Sequence, residues 1–472
     1  MSSTLGSFND NKSIPSFPAL RAIHYELNMT NSISMAAGPG SFPSPFGIHL
    51  SWPYVRRTHQ FVVRVVEPSR YEPKEHAGLF NQLVIGGMLP TSAKLDPYDF
   101  PIGIEPRDQY DLITFPEAFV SADALLSVLR VLPGNKPSGC VHVGLRPSAD
   151  DENHLFEASV ALQLIQALTS VFPKAGQDLA AVTAWLELQK PNMRLNLACI
   201  FLIDADGELR ICIQPKFVRS RVETSALSQH HMDEGDLLSL LTLVPADPRF
   251  ATVSLHPLIC SDFLDIGSDR HFESPIAAVT KYAGHFDNRP PDHIDIVSVA
   301  TCTPQKKART PSGSYVSTWH EKFLEAFIAC AERPAFARHH FAAVVLANFG
   351  KVPGSKPGGL SGVFLPVKPQ WAELAAPGVR ISSWGKPDAT SQENNQWSPP
   401  LPGIPEKWSG RGFITAVDPG DDIKGHDALI FHFTIQRLPR GNSMWTPYEG
   451  LTQCEVRVGC RDESGTWAFN RI

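Results

Sequence analysis

Three side chains of types that cooperate in nucleophilic chemistry occur in chain order, each where an apolar run gives way to a loop. They are Glu117 in DLITFPEAF, Lys216 in CIQPKF and Cys260 in HPLICSDFLD. A cysteine attacks carbon as its thiolate, so it needs a proton acceptor, and a carboxylate such as Glu117 can be that base. Attack puts negative charge on the substrate's oxygen or nitrogen. A fixed ammonium such as Lys216, together with backbone N–H groups, stabilises that charge in a water-poor site. The same glutamate can then protonate the leaving amine and activate the water that releases the acyl-enzyme. Taken singly, each residue has a plainer reading: a turn carboxylate, a surface lysine at a strand end, an inert buried thiol. Their context favours chemistry, with a DADG hairpin before the lysine and Ser261-Asp262 after the thiol.

Strands must carry these residues. Buried-strand runs recur at 60–66 (QFVVRVV), 110–115, 140–145, 197–203, 208–213, 251–259, 294–300, 341–348, 362–365, 412–417 and 428–435. DADG between LACIFLI and ELRICI ends in Asp-Gly and predicts a tight hairpin. Apolar residues at three- and four-residue steps predict helices over 156–172, 179–190 and 317–333. Strands alternating with helices, plus hairpins, predict an α/β protein with mixed sheets layered by helices. The Ser/Pro/Gly-rich start predicts an extended arm over 1–55, followed by one domain over 56–438 and a tail over 439–472. The tail's Trp445, Tyr448 and Trp467 suit either contacts with another subunit or packing on their own domain.

At the three reactive positions the sequence resembles the nitrilase superfamily, whose members use a Glu, a Lys and a Cys in that order. NLACIFLIDADGELR (196–210) is similar to the family's asparagine-led hairpin, and DHIDIVSVATCTP (292–304) to the strand after its nucleophile. HHFAAVVLANFGK (339–351) and GGLSGVFLP (358–366) are similar to its closing strands. The resemblance implies a four-layer α-β-β-α sandwich and hydrolysis of a non-peptide amide, or a nitrile, through a cysteine thioester. It implies no cofactor, and homo-oligomers, commonly dimers. It also implies an acid beside the lysine, for which Glu223 and Glu234 compete, and it matches Asn348 and Trp319 to family positions. Asp262 is expected to brace the nucleophile loop by accepting backbone hydrogen bonds. The chain departs from the pattern in Glu67-Pro68, where relatives often carry a glutamine, and in enlarged segments near 146–195, 265–292 and 386–410. Substrate choice is expected in those loops. The departures keep a second class open: a nitrilase-fold binding or scaffolding subunit with an idle or gated triad, in a defence or signalling assembly. Acyl transfer to an amine ranks last, because the relatives that do it are membrane-embedded.

Composition narrows the field further. With 472 residues, 43% hydrophobic content and a net charge of −6, the chain buries a large core and has no basic stripe for a phosphate backbone. No nucleic acid and no membrane is expected as a direct partner, and a small amide or nitrile is. The first thirty residues show neither a charged n-region nor an apolar h-region, so a cytoplasmic location is expected. The eight cysteines form no CxxC pair, which favours reduced thiols over a disulfide framework. His230-His231 and His339-His340 lack matching ligands, and no metal site is expected there. No GxSxG elbow, Walker loop or dinucleotide fingerprint is present.

Overall fold

Alternation and continuous apolar runs turn into the strands of two large sheets, each mixing parallel and antiparallel neighbours. The computed structural model describes residues 46–55, 60–86, 110–132, 139–220, 223, 231–248, 250, 252–263, 286, 294–304, 307–309, 315–317, 343–359, 361–367, 380–383, 412–418, 425–436 and 451–471. The nine-stranded sheet runs Trp467–Arg471, Leu451–Arg461, Ala428–Gln436, Gln60–Pro68, Leu112–Thr114, Cys140–Arg146, Leu197–Ile203, Leu209–Pro215, with Val120–Ser121 beside Cys140–Arg146. The eight-stranded sheet runs Phe46–Tyr54, Leu237–Pro245, Val253–Ile259, Ile296–Ala300, Ala343–Ala347, Gly362–Val367, Gly412–Asp418, Arg380–Ser383. Within it Val253–Ile259, Ile296–Ala300 and Ala343–Ala347 are mutually parallel, in a register that aligns Ile259, Ala300 and Ala347. Their carboxyl ends therefore reach one edge together, where the following residues are Cys260, Thr301 and Asn348.

The predicted hairpin is present. Leu197–Ile203 pairs antiparallel with Leu209–Pro215, and the turn closes through Gly207, whose φ of +83° a Cβ would strain. Helices form at Pro73–Asn81, Ala122–Val131, Ala158–Val171 and Ala175–Glu187. The last two match the helices expected between 156 and 190. Ser121 caps its helix by accepting the Ala124 N–H at 3.3 Å. No helix among the described residues is long and apolar enough to cross a membrane.

Two large clusters dominate the core among the described residues, with Ala198, Ile259 and Cys260 forming a small third. One packs these helices on the nine-stranded sheet through Phe80, Phe115, Phe119, Leu125, Ile165 and Leu179. The other draws on strands of both sheets, with Trp52, Val63, Ile200, Leu241, Val345 and Phe431 among its members. Each such side chain contributes about 1.5–3 kcal/mol by leaving water. Polar links cross the same region: Ser298 Oγ lies 2.8 Å from Thr114 Oγ1 and 2.7 Å from His142 Nδ1, all buried.

The expected domain boundaries need correction. Residues 44–472 form one compact unit. The end of the expected arm is strand Phe46–Tyr54, because Ile48, Trp52 and Tyr54 alternate and are buried. The expected tail supplies Leu451–Arg461 and Trp467–Arg471, which extend the nine-stranded sheet and bury Trp467 and Phe469. Of the helix expected over 317–333, Ser317 ends the strand Tyr315–Ser317 and the rest, with Trp319, lies outside the described residues, as do the enlarged segment 386–410 and most of 265–292.

Candidate active site

Glu117 sits in a tight loop just beyond strand Leu112–Thr114. That loop lies flat on strand Cys140–Arg146, through Gly144 N–H to Pro116 O at 3.1 Å and Phe119 N–H to Gly144 O at 2.9 Å. The approach needs glycine: a Cβ on Gly144 would lie 2.4 Å from Glu117 Cα and from Ala118 N. Ala118 itself has φ +54°, in the left-handed region. Lys216 follows strand Leu209–Pro215 directly, its N–H donating to Asn196 O at 2.7 Å and its carbonyl accepting from Gly235 at 2.9 Å.

Their side chains meet. Lys216 Nζ lies 2.9 Å from Glu117 Oε1 and 2.9 Å from both oxygens of Glu223, and all three residues are buried. Glu223 is the acid beside the lysine, oriented in turn by the Ser220 N–H at 2.7 Å. Glu234 instead accepts from the Arg219 N–H at 3.2 Å. Two further donors hold Glu117: Asn196 Nδ2 donates to Oε1 at 2.6 Å and the Cys302 N–H to Oε2 at 3.0 Å. Burial alone pulls Lys216 down, but Glu117, Glu223 and Cys260 together outweigh it and hold the ammonium well above its usual range. Burial raises Glu223, and Lys216 with the Ser220 donors reverses that, leaving it below the usual carboxylate range.

Cys260 ends the parallel strand Val253–Ile259 and opens a single 3₁₀ turn over Cys260–Asp262. Its φ is +47°, a left-handed conformation that costs a non-glycine residue about 1–3 kcal/mol. It is 7% exposed, and its Sγ lies 3.1 Å from Thr303 Oγ1. Asp262 fixes the turn, accepting from Phe217 N at 2.8 Å, Val218 N at 2.7 Å and Ile259 N at 3.1 Å. Because Phe217 and Val218 follow Lys216, one carboxylate ties the nucleophile's turn to the lysine's loop. Burial pushes Asp262 up to about 7, against the pull of Lys216 and its three N–H donors. Asn348 braces the other side, accepting from Thr303 N at 3.1 Å and donating to Thr303 O and Gly359 O, each at 3.0 Å. Burial, then the charge of Glu117, pushes the Cys260 thiol up to about 12, while Lys216 and the Thr303 hydroxyl pull it down. At neutral pH the thiol is protonated.

Of the residues singled out by sequence, Glu117, Lys216, Cys260, Glu223, Asp262 and Asn348 are linked into one neighbourhood, whereas Glu234 pairs with Arg219. Sequence reasoning missed Asn196, Thr303 and Gly144 as parts of it. Asn196 was legible as the start of the hairpin, and the other two carry no local signal. It also missed His154, of which a ring nitrogen lies within 4.8 Å of an oxygen of Glu117 and of Glu223. Those three groups are of metal-ligand type. However, the Lys216 ammonium already bridges both carboxylates, so the donor set does not suit a divalent ion.

No family model matches the sequence, and no curated protein or solved structure matches it. The arrangement stands on its own chemistry: a protonated thiol at a strand end and a cation locked between the acids Glu117 and Glu223.

Proposed function

We propose that the chain is a thiol-dependent hydrolase of carbon–nitrogen bonds, acting on a non-peptide amide or a nitrile, with the four-layer α-β-β-α fold of the nitrilase superfamily. The single observation that carries this reading is Lys216 Nζ at 2.9 Å from Glu117 and from Glu223, beside the thiol of Cys260. A buried lysine held between two acids is an expensive arrangement for structure alone.

The steps follow from the groups. As Sγ bonds to the substrate carbon, Glu117 takes the thiol proton, so no free thiolate is needed beforehand. The displaced electron pair gathers on the substrate's oxygen, where an N–H of Lys216 meets it. Glu117 then gives its proton to the nitrogen, the carbon–nitrogen bond breaks, and the amine leaves a thioester. Water, losing a proton to Glu117, attacks the thioester, and the acid departs as the thiol is restored. Glu223 accepts from Lys216 throughout and keeps it charged and aimed.

Incubation with a panel of short amides and nitriles, with ammonia release measured, tests the reading. Release by the native chain that is absent in Cys260→Ala supports it, and release that persists in that variant sinks it. A second reading, a scaffold with an idle triad, is favoured by the burial of Cys260 and by its raised thiol. Under it, alkylation would be slow and no faster at Cys260 than at Cys302. The proposed oligomer is supported by exposed apolar residues at the helix ends, among them Val131, Val171 and Leu188, and sedimentation of the full chain checks it.

A further inference from the structure

The short segment Thr301 to Thr303, just past strand Ile296–Ala300, touches both the carboxylate and the thiol of the reactive centre. Ile259 and Ala300 stand level in neighbouring parallel strands, as do Ala300 and Ala347, so the chain leaves the sheet here between the Cys260 turn and Asn348. Thr301 O accepts the Glu117 N–H at 3.2 Å, and the Cys302 N–H donates to Glu117 Oε2 at 3.0 Å. One residue further on, Thr303 Oγ1 lies 3.1 Å from Cys260 Sγ. The segment thus sets the base and the sulfur relative to each other.

Thr303 is braced on its backbone. The Asn348 carboxamide takes both its N–H, at 3.1 Å, and its carbonyl, at 3.0 Å. Asn348 is held in turn, its own N–H donating to Ser361 Oγ at 2.9 Å, and the Ser361 N–H donates to Glu67 Oε2 at 3.0 Å. Asn348 and Ser361 are fully buried. With the backbone fixed, one torsion, χ1, governs where the Thr303 hydroxyl points. A hydroxyl and a thiol in contact can share one hydrogen in two ways, S–H towards oxygen or O–H towards sulfur. In the proposed reaction the S–H proton goes to Glu117, and it cannot be aimed at the carboxylate and at Thr303 together. The sulfur lone pairs then face the hydroxyl.

We infer that Thr303 is a further catalytic residue, whose O–H donates a hydrogen bond to Cys260 Sγ when that sulfur carries negative charge, above all as it leaves the thioester. The reaction rests on the hydrolase reading; the hydrogen bond to sulfur does not. In deacylation the oxygen of water bonds to the acyl carbon and a water proton passes to Glu117. The carbon–sulfur bond then breaks with its electron pair on Sγ. Thr303 holds that charge through its O–H without giving up the proton, and Glu117 returns its proton to the sulfur. Lys216 is committed to the substrate's oxygen in this scheme, so the sulfur is served by a donor of its own. A charged acceptor makes the stronger hydrogen bond, so the hydroxyl favours the thiolate over the thiol. Asn348 is a positioning residue, acting through Thr303.

The test uses the full chain and follows the sulfur by mass. Iodoacetamide labelling of Cys260 at pH 8 is expected to be about three- to tenfold slower in Thr303→Val, because the thiolate fraction falls by more than its nucleophilicity rises. Thr303→Ser keeps the hydroxyl and is expected to stay within about twofold of the native rate. If the thiol were the donor, losing its acceptor would favour the thiolate and Thr303→Val would label faster. Faster or unchanged labelling therefore overturns the inference. The acetyl thioester left on Cys260 by p-nitrophenyl acetate is expected to decay about tenfold more slowly in Thr303→Val, with Thr303→Ser near native. Equal decay in all three overturns the catalytic role. Should Thr303→Val not fold, Thr303→Ala against Thr303→Ser makes the same comparison, since that pair differs by the hydroxyl alone. The hydrolase reading fails separately: slowed labelling in Thr303→Val, without ammonia release from any amide by the native chain, leaves a hydroxyl that stabilises a thiolate on a protein that is not this enzyme.

Discussion

On the nine-stranded sheet the reactive groups are held by charge. Lys216 bridges Glu117 and Glu223, and Asn196 and the Cys302 N–H complete the first carboxylate. On the eight-stranded sheet they are held by backbone. Asp262 gathers three N–H groups around the Cys260 turn, Asn348 bridges Thr303 N and O, and the thiol lies against the Thr303 hydroxyl. The first half carries its ions paired before any ligand arrives. The second carries a neutral nucleophile in a strained turn. In the proposed hydrolase mechanism, chemistry begins only when a proton crosses from sulfur to carboxylate, which makes the seam between the halves the place where charge is created and where Lys216 must already stand.

The largest effect expected from breaking this comparison is on the neutral side. Cys260→Ala should lower amide turnover by about four orders of magnitude or more, with an unchanged circular-dichroism spectrum, because the charged half survives intact. On the charged side the expected damage is to stability. Lys216→Met leaves two buried carboxylates facing each other without their cation and should cost about 3–5 kcal/mol in urea unfolding. Thr303→Val, which removes the hydroxyl beside the thiol, should cost about 1 kcal/mol. Similar costs for the two would mean that the halves are not built differently after all.

Much of this was readable in the sequence, for a physical reason. Glu117, Lys216 and Cys260 each end an apolar run, and apolar runs are what a sheet protein cannot disguise. The DADG turn and the helices near 158–171 and 175–187 were legible from local periodicity in the same way. What stayed hidden depends on distance in the fold. Nothing near Gly144 announces that Glu117 will press on its Cα, and nothing near Cys302 announces that its N–H will serve a carboxylate 185 positions away. The domain edges were misread because proline and serine around Phe46–Tyr54 masked its alternation, and because Leu451–Arg461 follows a polar stretch that reads as an ending.

A smaller effect should sharpen the view that the Glu117 loop is set by close backbone contact. Gly144→Ala places a methyl group 2.4 Å from Glu117 Cα, where backbone must move, and should cost about 1–3 kcal/mol while also depressing turnover. Gly207→Ala has nothing within 4 Å to meet but must adopt φ +83°, and should cost about 1 kcal/mol and leave turnover untouched. Calorimetry together with an amide assay on the two variants separates a contact that builds the site from one that only closes a hairpin.

The mildest probe tests the seam itself. With its thiol pushed up to about 12 by burial and then by Glu117, Cys260 is almost entirely protonated near neutrality. Alkylation by iodoacetamide proceeds through the thiolate, so its rate at Cys260 should climb about tenfold for each pH unit between 7 and 9, without a plateau. Glu117→Gln removes the negative neighbour while Lys216 stays. A like charge raises an acid's pKa, so its removal lowers that of the thiol and gives more thiolate at any fixed pH. Labelling at pH 8 should therefore quicken by roughly tenfold in the variant, as turnover drops by about 10²–10⁴ for want of a base. The two readouts must move in opposite directions. If labelling levelled off near pH 8, or slowed in Glu117→Gln, the sulfur would already be ionised in the resting protein, with Lys216 rather than the carboxylate governing it, and the division between a charged half and a neutral half would fall.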